Sequence, residues 1–197
     1  MAIADPDPAA VPRAPSPQPA GGRPAEPWDR PSRPRRQVDL LPIAEGFALS
    51  APAVPELQGL AERSWVLLAV TDLFEAWAIG WPPGGRIDLH DHGASSGAVV
   101  VAAGALTETT VRSTERGVAV ISTHRVAAGQ HRRFGPHYVH DLMNDGDQPA
   151  ISVHVYGPRL TTMSYYELEP GGRLGRVGTE EVPPVGPFDL TRAHDPS

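Results

Sequence analysis

The chain of 197 residues contains no cysteine and no lysine. Without cysteine, disulfides, thiolate-bound zinc, iron–sulfur clusters and thiol nucleophiles are excluded. Every basic residue is arginine and the formal net charge is −6 at pH 7, so no overall positive charge attracts nucleic acid or an anionic membrane. The sequence also lacks a run of about 18 uncharged apolar residues, so no helix is expected to span a membrane.

Proline and glycine are abundant, with 23 and 20 residues, and they are unevenly placed. Residues 1–36 hold many prolines and few large apolar side chains. Such a segment cannot bury enough surface to offset the entropy of ordering, so it is predicted to be a disordered tail. Residues 37–169 are predicted to form one domain, and the Gly- and Pro-rich residues 170–197 are predicted to be an irregular tail.

Two adjacent arginines, Arg35 and Arg36, resemble part of a twin-arginine export signal. The apolar stretch that follows them is interrupted by Asp39, Glu45 and several prolines, so an export signal is not expected. We therefore expect a cytoplasmic protein. The sequence does not define the oligomeric state, for which a monomer is the favoured expectation.

Short strands dominate the predicted domain. Pro42, Pro52 and Pro55 divide the apolar residues 37–62 into short helices, the last of which begins at Pro55. From Trp65 the pattern changes to short runs rich in β-branched and aromatic residues, separated by turn sequences, which is typical of an all-β sandwich or barrel. The predicted strands are Trp65–Ala69, Phe74–Trp81, Gly97–Ala103, Ala105–Arg112, Val118–Val126, His131–Phe134, His137–Leu142, Ala150–Tyr156 and Thr162–Glu167.

Three of the eight histidines form a pattern that suits a metal ion. In an extended chain, residues two apart point to the same face, so His90 and His92 offer two imidazoles to one ion while Asp91 points away. His140 lies at a separation at which an antiparallel strand can return beside this pair. Three neutral imidazoles leave positions open on a metal, and they suit iron, zinc, copper and nickel alike. A hydrogen-bonded or surface pair is the alternative for a lone His-x-His.

The residues around these histidines resemble the two motifs of the cupin superfamily. Gly84 lies six residues before His90, and residues 95–97 (Ser-Ser-Gly) stand where the first motif has a glutamate ligand. Loss of that glutamate makes the chain similar to the cysteine dioxygenase family, particularly its bacterial members. The resemblance covers residues 57–167, and two blocks carry it: Trp81–Gly84, His90–Gly97 and Gly104–Glu108, then Val139–Asp141, Asn144 and Pro149–Tyr156.

The resemblance implies a cupin double-stranded β-helix (a jelly-roll barrel) and a non-haem Fe(II) enzyme. Such an enzyme adds both oxygens of O2 to the sulfur of a small thiol, such as cysteine, and gives the sulfinic acid. The three histidines would be the iron ligands. Ser152, His154 and Tyr156, spaced by two along one strand, match the family's hydrogen-bonded relay, and Tyr156 would assist the chemistry. Because cysteine is absent, Tyr156 cannot carry the cysteine cross-link found in some members.

The residue that would bind a substrate carboxylate departs from the family pattern. Cysteine-using relatives have an arginine ahead of the Phe74–Trp81 run, and mercaptopropionate-using relatives have a glutamine, whereas an ungapped count reaches Leu67 or Ser64 here. Arg63 and Arg159 are the candidates, because a guanidinium can bind a carboxylate through two hydrogen bonds. Exposed arginines without a ligand are the alternative.

Two other functions stay open at this point. One is a cupin dioxygenase or isomerase that acts on a different small molecule. The other is a metal-binding cupin without turnover, for which a Ser-His-Tyr face toward the metal would be unnecessary. No basic stripe or helix pair supports a DNA-binding regulator, so the expected partners are a small thiol and O2.

Overall fold

The computed structural model of the protein describes residues 38–115 and 117–184. It contains one α-helix, α1 (Leu40–Ala48), and two 3-10 turns, Ala51–Ala53 and Pro55–Leu57. Eleven strands follow: β1 (Ser64–Val70), β2 (Glu75–Trp81), β3 (Arg86–Asp91), β4 (Ser96–Ala103), β5 (Ala105–Ser113), β6 (Ala119–Ala127), β7 (His131–Phe134), β8 (Val139–Met143), β9 (Ala150–Gly157), β10 (Thr162–Glu169) and β11 (Arg173–Glu181). No helix in these residues is long and apolar enough to cross a membrane.

The strands form two antiparallel sheets, ordered β1-β2-β9-β4-β7 and β11-β10-β3-β8-β5-β6. Strands far apart in sequence are neighbours, such as β4 with β9 and β3 with β8, as in a jelly-roll barrel. Apolar side chains from both sheets meet between them. The predicted all-β cupin fold is therefore confirmed. The cluster between the sheets consists of Trp81, Val101, Leu106, Val126, Leu142 and Ala150.

The predicted N-terminal helical layer covers the outer face of the five-stranded sheet. Asp39 caps α1 by accepting a hydrogen bond from the backbone N–H of Leu41 at 3.3 Å. The sequence predicts that Pro42 interrupts the helical segment, but α1 continues through it. Pro42 lies in the first turn of the helix, where its missing N–H costs little. Leu40, Leu41 and Ala44 are buried in one cluster with outward-facing residues of β4 and β9.

Strand β9 is buried on both faces. Ile151, Val153 and Val155 pack beneath the helical layer. The alternate residues therefore face the interior between the sheets, because successive side chains of a strand point to opposite faces. Those interior residues are polar, and they are the predicted relay.

Two strands were not predicted. β3 has only two aliphatic residues, and the histidine pair masks its strand pattern. β11 corrects the prediction of an irregular tail over residues 170–197, which is wrong for Arg173–Glu181. Gly171 and Gly172, with φ of 95° and 74°, form the turn of a hairpin between β10 and β11, and this mostly exposed edge strand needs no apolar alternation. The predicted disordered residues 1–36 lie outside the described residues, as do residues 185–197.

Candidate metal centre

The three histidines predicted as metal ligands lie together between the sheets. His90 on β3 pairs directly with His140 on the neighbouring β8. His92 follows the end of β3, and its Nε2 atom is 3.1 Å from the Nε2 atom of His90. All three side chains are buried, and one ligand atom from each lies within 4.8 Å of the others. The structure therefore places the three imidazoles at one point.

Asn144 fixes the register of the two strands that carry these histidines. Its backbone N–H donates to the carbonyl of Gly85, and its carbonyl accepts from the N–H of Gly84, each at 2.9 Å. Its side-chain amide donates to the carbonyl of Trp81 at 2.9 Å. The beginning of β3 is thereby joined to the end of β8, which holds His90 opposite His140.

Asp91 points away from the cluster of His90, His92 and His140 and anchors the His-x-His segment from outside. Its carboxylate accepts hydrogen bonds from the backbone N–H of Gly93 at 2.8 Å and from the hydroxyl of Tyr166 at 2.7 Å. The backbone N–H of His137 donates to the carbonyl of Gly93 at 3.0 Å. The chain between and directly after the two histidines is therefore restrained.

The nitrogen atoms fit a metal ion. The Nδ1 atom of His90 is 2.8 Å from the carbonyl of Asp88, and that of His140 is 2.8 Å from Glu108, so the Nε2 atom of each remains for a metal. Within residues 38–115 and 117–184, the buried His140 Nε2 atom has no hydrogen-bond partner. Two ligands at right angles, about 2.1 Å from one ion, would be about 3.0 Å apart, close to the observed separation of the His90 and His92 Nε2 atoms.

The protonation state also suits metal binding. Burial, followed by the charges of neighbouring histidines, lowers the pKa of His90 and of His92 well below the usual value. Both imidazoles are therefore neutral near pH 7, which is the form that binds a metal.

The position of the missing cupin glutamate is filled by an aromatic ring. A side chain at Gly97 would collide with the ring of Phe134. That ring stacks on His92, with centroids 4.9 Å apart and an interplanar angle of 23°. The group among the described residues therefore consists of three histidines without a carboxylate.

Glu108 is a buried partner of His140 that the sequence analysis quoted but gave no role. Its carboxylate accepts from His140 Nδ1 at 2.8 Å and from the Nε atom of Arg132 at 3.0 Å, and the residue is 1% exposed. Burial tends to raise the pKa of Glu108, but His140 and Arg132 outweigh this effect and hold the pKa below its usual value. An ionised Glu108 keeps the proton of His140 on Nδ1. The available signal was a charged residue at the inward position of β5, two residues after the buried Leu106.

Replacing Glu108 with glutamine should weaken metal binding by roughly 10- to 100-fold, because the partner of a ligating histidine fixes its tautomer and orientation. Fe(II) affinity can be measured anaerobically by competition with a chromophoric chelator. Glu167→Gln, at an exposed position of β10, is the matched control. Equal affinities of the Glu108→Gln and control proteins would contradict this role.

The predicted relay is a continuous buried chain of hydrogen bonds beside the histidines. Ser152 Oγ is 2.8 Å from His154 Nε2, and His154 Nδ1 is 3.2 Å from the hydroxyl of Tyr156. The Tyr156 ring centroid lies 4.8 Å from that of His92. The chain also continues to the indole N–H of Trp81, which donates to Ser152 Oγ at 2.8 Å and was not predicted as part of the site.

Burial keeps both ionisable members of the relay neutral. It lowers the pKa of His154 to about 3. It raises the pKa of Tyr156, with a further increase from the negative charge of Glu75. At neutral pH, the chain therefore consists of an uncharged imidazole and a protonated phenol.

The buried His154 should make the metal-free protein less stable in acid. In the unfolded chain its pKa is about 6.5, so between that pH and about 3 the unfolded state binds a proton that the folded state excludes. Lowering the pH from 7 to 5 should therefore remove about 2 kcal/mol of unfolding free energy through His154 alone. Urea titrations at both pH values give the loss of unfolding free energy for each protein. This loss should be about 2 kcal/mol larger in wild type than in His154→Gln. His131→Gln, at an exposed histidine, should keep the wild-type dependence, and an identical dependence in His154→Gln would contradict the assignment.

Of the two arginines predicted to bind substrate, Arg63 lies near the relay. Its guanidinium is 5.4 Å from the ring centroid of Trp81 and 5.5 Å from that of Trp65, and its Nη1 atom donates to the carbonyl of Arg86 at 2.9 Å. Burial lowers the pKa of Arg63. Its positive charge contributes to lowering the pKa of His154, so the guanidinium is close enough to act on the relay. None of the ion pairs within the described residues involves Arg63.

Arg159 lies in a different environment. Its Nε atom is 3.7 Å from the Oε2 atom of Glu75, a buried carboxylate. Its carbonyl accepts a hydrogen bond from the hydroxyl of Ser95 at 3.3 Å. Arg159 thus offsets the charge of Glu75. Arg63 forms no ion pair among the described residues, although the charge of Asp88 acts on it from a greater distance.

Comparison with known families identifies this arrangement. The family model described as cysteine dioxygenase type I matches residues 59–169, more than half of the chain. The chain belongs to the cysteine dioxygenase family. In this member of the cysteine dioxygenase family, the matched region contains the three histidines, the relay and Arg63. Family membership makes it a cupin of a dioxygenase family, with a three-histidine group that suits a metal.

Solved structures resemble the chain over about half of its length. TT1209 from Thermus thermophilus has 18% identity and a TM-score of 0.43, over 55% of this chain and 93% of that one. A double-stranded β-helix protein from Klebsiella pneumoniae has 23% identity and a TM-score of 0.40, over 50% and 78%. The Cnp3 cupin domain of Schizosaccharomyces pombe has 12% identity and a TM-score of 0.43, over 51% and 66%. The family assignment rests on the family model.

Proposed function

We propose that the protein is a non-haem Fe(II) thiol dioxygenase that converts a small thiol, such as cysteine, and O2 to a sulfinic acid. The contact between Tyr156 at the end of the relay and His92 of the histidine group carries this proposal. A protein that only stores a metal has no need of a buried Ser-His-Tyr chain beside it. The reaction RSH + O2 → RSO2H is balanced without an external reductant, since both oxygens and the thiol proton remain in the product.

His90, His92 and His140 would hold the iron through their Nε2 atoms. When bound, Fe(II) would stabilise the substrate as a thiolate and provide a redox centre at which sulfur and O2 meet. Three protein ligands leave positions open for both small molecules. Ser152, Val101 and Trp81 are buried between the sheets nearby, which keeps bulk water away from this region.

Arg63 would bind the carboxylate of the substrate. A partly buried guanidinium without an acidic partner is costly, and a carboxylate ligand would relieve that cost. The rings of Trp65 and Trp81 contact the guanidinium by cation–π interaction, and its Nη1 atom donates to the carbonyl of Arg86. The other N–H groups of the guanidinium would donate to the carboxylate. The substrate would then be held at its carboxylate and at its sulfur, which orients the sulfur for reaction.

Tyr156 would act as a hydrogen-bond donor. Its raised pKa keeps the phenol protonated, and the neutral His154 holds the phenol oxygen. A donor fixed in place before the reaction can stabilise negative charge that develops on sulfur or oxygen, without the cost of reorganising solvent. If His154 Nδ1–H donates to the phenol oxygen, the phenol proton is free to point toward the histidine group.

The direct test is anaerobic reconstitution with Fe(II), followed by O2 uptake with a panel of thiols. Cysteine, 3-mercaptopropionate and cysteamine differ in their carboxylate and amine, so the panel also identifies the substrate class. We expect one sulfinate for each O2 consumed, detected by mass spectrometry with two oxygen-isotope labels per product. Full iron loading without O2 uptake for any thiol would contradict the proposed function.

Replacing Tyr156 with phenylalanine should lower kcat by roughly 10- to 100-fold with little loss of bound iron, because only a hydrogen-bond donor is removed. Tyr165→Phe is a matched control, since its ring centroid lies 6.4 Å from that of His90 but its hydroxyl is engaged by Glu180. Initial rates at saturating thiol and iron content should be measured together. An unchanged kcat in Tyr156→Phe would remove Tyr156 from the chemistry.

A further inference from the structure

Trp81 joins two parts of the site through different portions of its indole ring. The ring lies beside the Arg63 guanidinium, and its N–H donates to Ser152 Oγ at 2.8 Å. Trp81 is 1% exposed, and Ser152 is fully buried. The hydrogen bond is therefore made away from water. Its direction then limits which atoms of His154 and Tyr156 can donate and which can accept.

The indole N–H can only donate, whereas a serine hydroxyl can both donate and accept. Ser152 Oγ makes its side-chain hydrogen bonds with Trp81 and His154, within the part of the chain that the structure describes. Its proton cannot point at an N–H donor, so it points at His154 Nε2. If Ser152 accepted from both partners, its buried proton would have no acceptor, which is costly.

The direction then passes along the chain. A neutral histidine whose Nε2 atom accepts carries its proton on Nδ1. His154 Nδ1–H therefore donates to the oxygen of Tyr156, 3.2 Å away. The phenol proton of Tyr156 is left over and can point toward the histidine group. In the opposite direction, the Tyr156 proton would be used in a bond to His154 and would be unavailable to a substrate.

We propose that Trp81 is a positioning residue that sets the direction of the Ser152–His154–Tyr156 relay and so keeps the Tyr156 proton free for the metal site. This inference rests on the proposed function, because it assigns Trp81 a part in that reaction. Trp81 acts through Ser152 and does not itself touch the reacting atoms. A donor bond into a chain also polarises the bonds that follow, which strengthens each of them.

The first test needs neither iron nor turnover. Nitrogen NMR of metal-free protein with isotope-labelled histidine reports which ring nitrogen of His154 carries the proton, with His154→Gln to assign the signal. Wild type should carry it on Nδ1, and Trp81→Phe should place a measurable fraction on Nε2. Trp65→Phe is the matched control, because it replaces the other indole beside Arg63 with a phenyl ring and removes none of the hydrogen bonds of the relay. A His154 proton on Nε2 in wild type, or an unchanged tautomer in Trp81→Phe, would overturn the proposal.

A second variant keeps the proposal testable if Trp81→Phe does not fold. Ser152→Ala leaves the Trp81 indole without its acceptor. The Trp81 indole N–H signal should then move upfield and exchange faster with solvent than in wild type. An unmoved signal would show that the hydrogen bond on which the proposal depends does not form.

Kinetics separate Trp81's effect on the relay from its contact with Arg63. Trp65→Phe and Trp81→Phe should both raise KM, whereas Trp81→Phe alone should lower kcat, by roughly 5- to 30-fold. In a Ser152→Ala background, Trp81→Phe should cause no further loss of kcat. If Trp81→Phe lowered kcat by the same factor in Ser152→Ala as in wild type, the proposal would be overturned. If wild type oxidises no thiol, the proposed function fails, while the tautomer measurement still decides the role of Trp81.

Discussion

A His140→Ala variant is expected to lose most of its bound iron and nearly all thiol oxidation. His140 supplies an imidazole from β8 directly opposite His90 on β3, and alanine offers no nitrogen at that position. With two imidazoles left, the ion would exchange three-point binding for weaker two-point binding. The loss should exceed the roughly 10- to 100-fold weakening expected when only the partner of a ligating histidine is removed.

Iron content after anaerobic reconstitution and gel filtration measures this effect without reference to activity. His131→Ala is the matched control, because His131 is an exposed histidine on β7 whose side chain is 45% exposed. Circular dichroism of both metal-free proteins separates loss of iron from loss of fold. Stoichiometric iron in His140→Ala would exclude His140 as a ligand.

Two of the three histidines could be predicted from the sequence because residues two apart in a strand lie on the same face. A spacing of two places His90 and His92 on one side wherever the chain is extended. The same periodicity places Ser152, His154 and Tyr156 on one face of β9. The separation of about fifty residues made His140 a candidate third ligand, and the resemblance to a known family then implied that it binds the same metal.

The partners of these residues depend on cross-strand contacts that one sequence does not encode locally. Glu108 reaches His140 because β5 and β8 are neighbours, with Thr110 opposite His140. Trp81 reaches Ser152 because β2 and β9 pair, although the two residues are not opposite each other. A register shift of one residue would reverse the faces, so such contacts can be read only once the sheet order is known.

The different surroundings of Arg63 and Arg159 also depend on contacts between distant parts of the chain. Both flank strands of the five-stranded sheet, and their sequence surroundings do not separate them. The structure does, because Glu75 pairs with Arg159, while two tryptophan rings hold Arg63. Burial of an acidic residue at the start of β2 was not predictable from its own neighbours in the sequence.

An Arg63→Ala variant is expected to raise KM for carboxylated thiols by roughly 30- to 1,000-fold, equivalent to about 2–4 kcal/mol. The guanidinium would be the cation that binds the carboxylate, so its removal leaves a partly buried negative charge unpaired. KM for cysteamine, which lacks a carboxylate, should change little. Arg63→Lys keeps the charge but not the two-pronged geometry, so its KM for carboxylated thiols should lie between the wild-type and Arg63→Ala values.

The comparison of two thiols within one variant separates loss of the carboxylate contact from general damage. Arg86→Ala is the matched control: Arg86 is 65% exposed at its side chain, pairs with Asp88, and offers Arg63 only its backbone carbonyl. If Arg63→Ala treats both thiols alike and Arg159→Ala discriminates between them, Arg159 is the clamp. If neither variant discriminates, the carboxylate is not recognised by arginine. We then expect the native substrate to be a neutral or cationic thiol. The physical reason would be that an ungapped count reaches Leu67 or Ser64 where the sequence comparison expects an arginine or a glutamine.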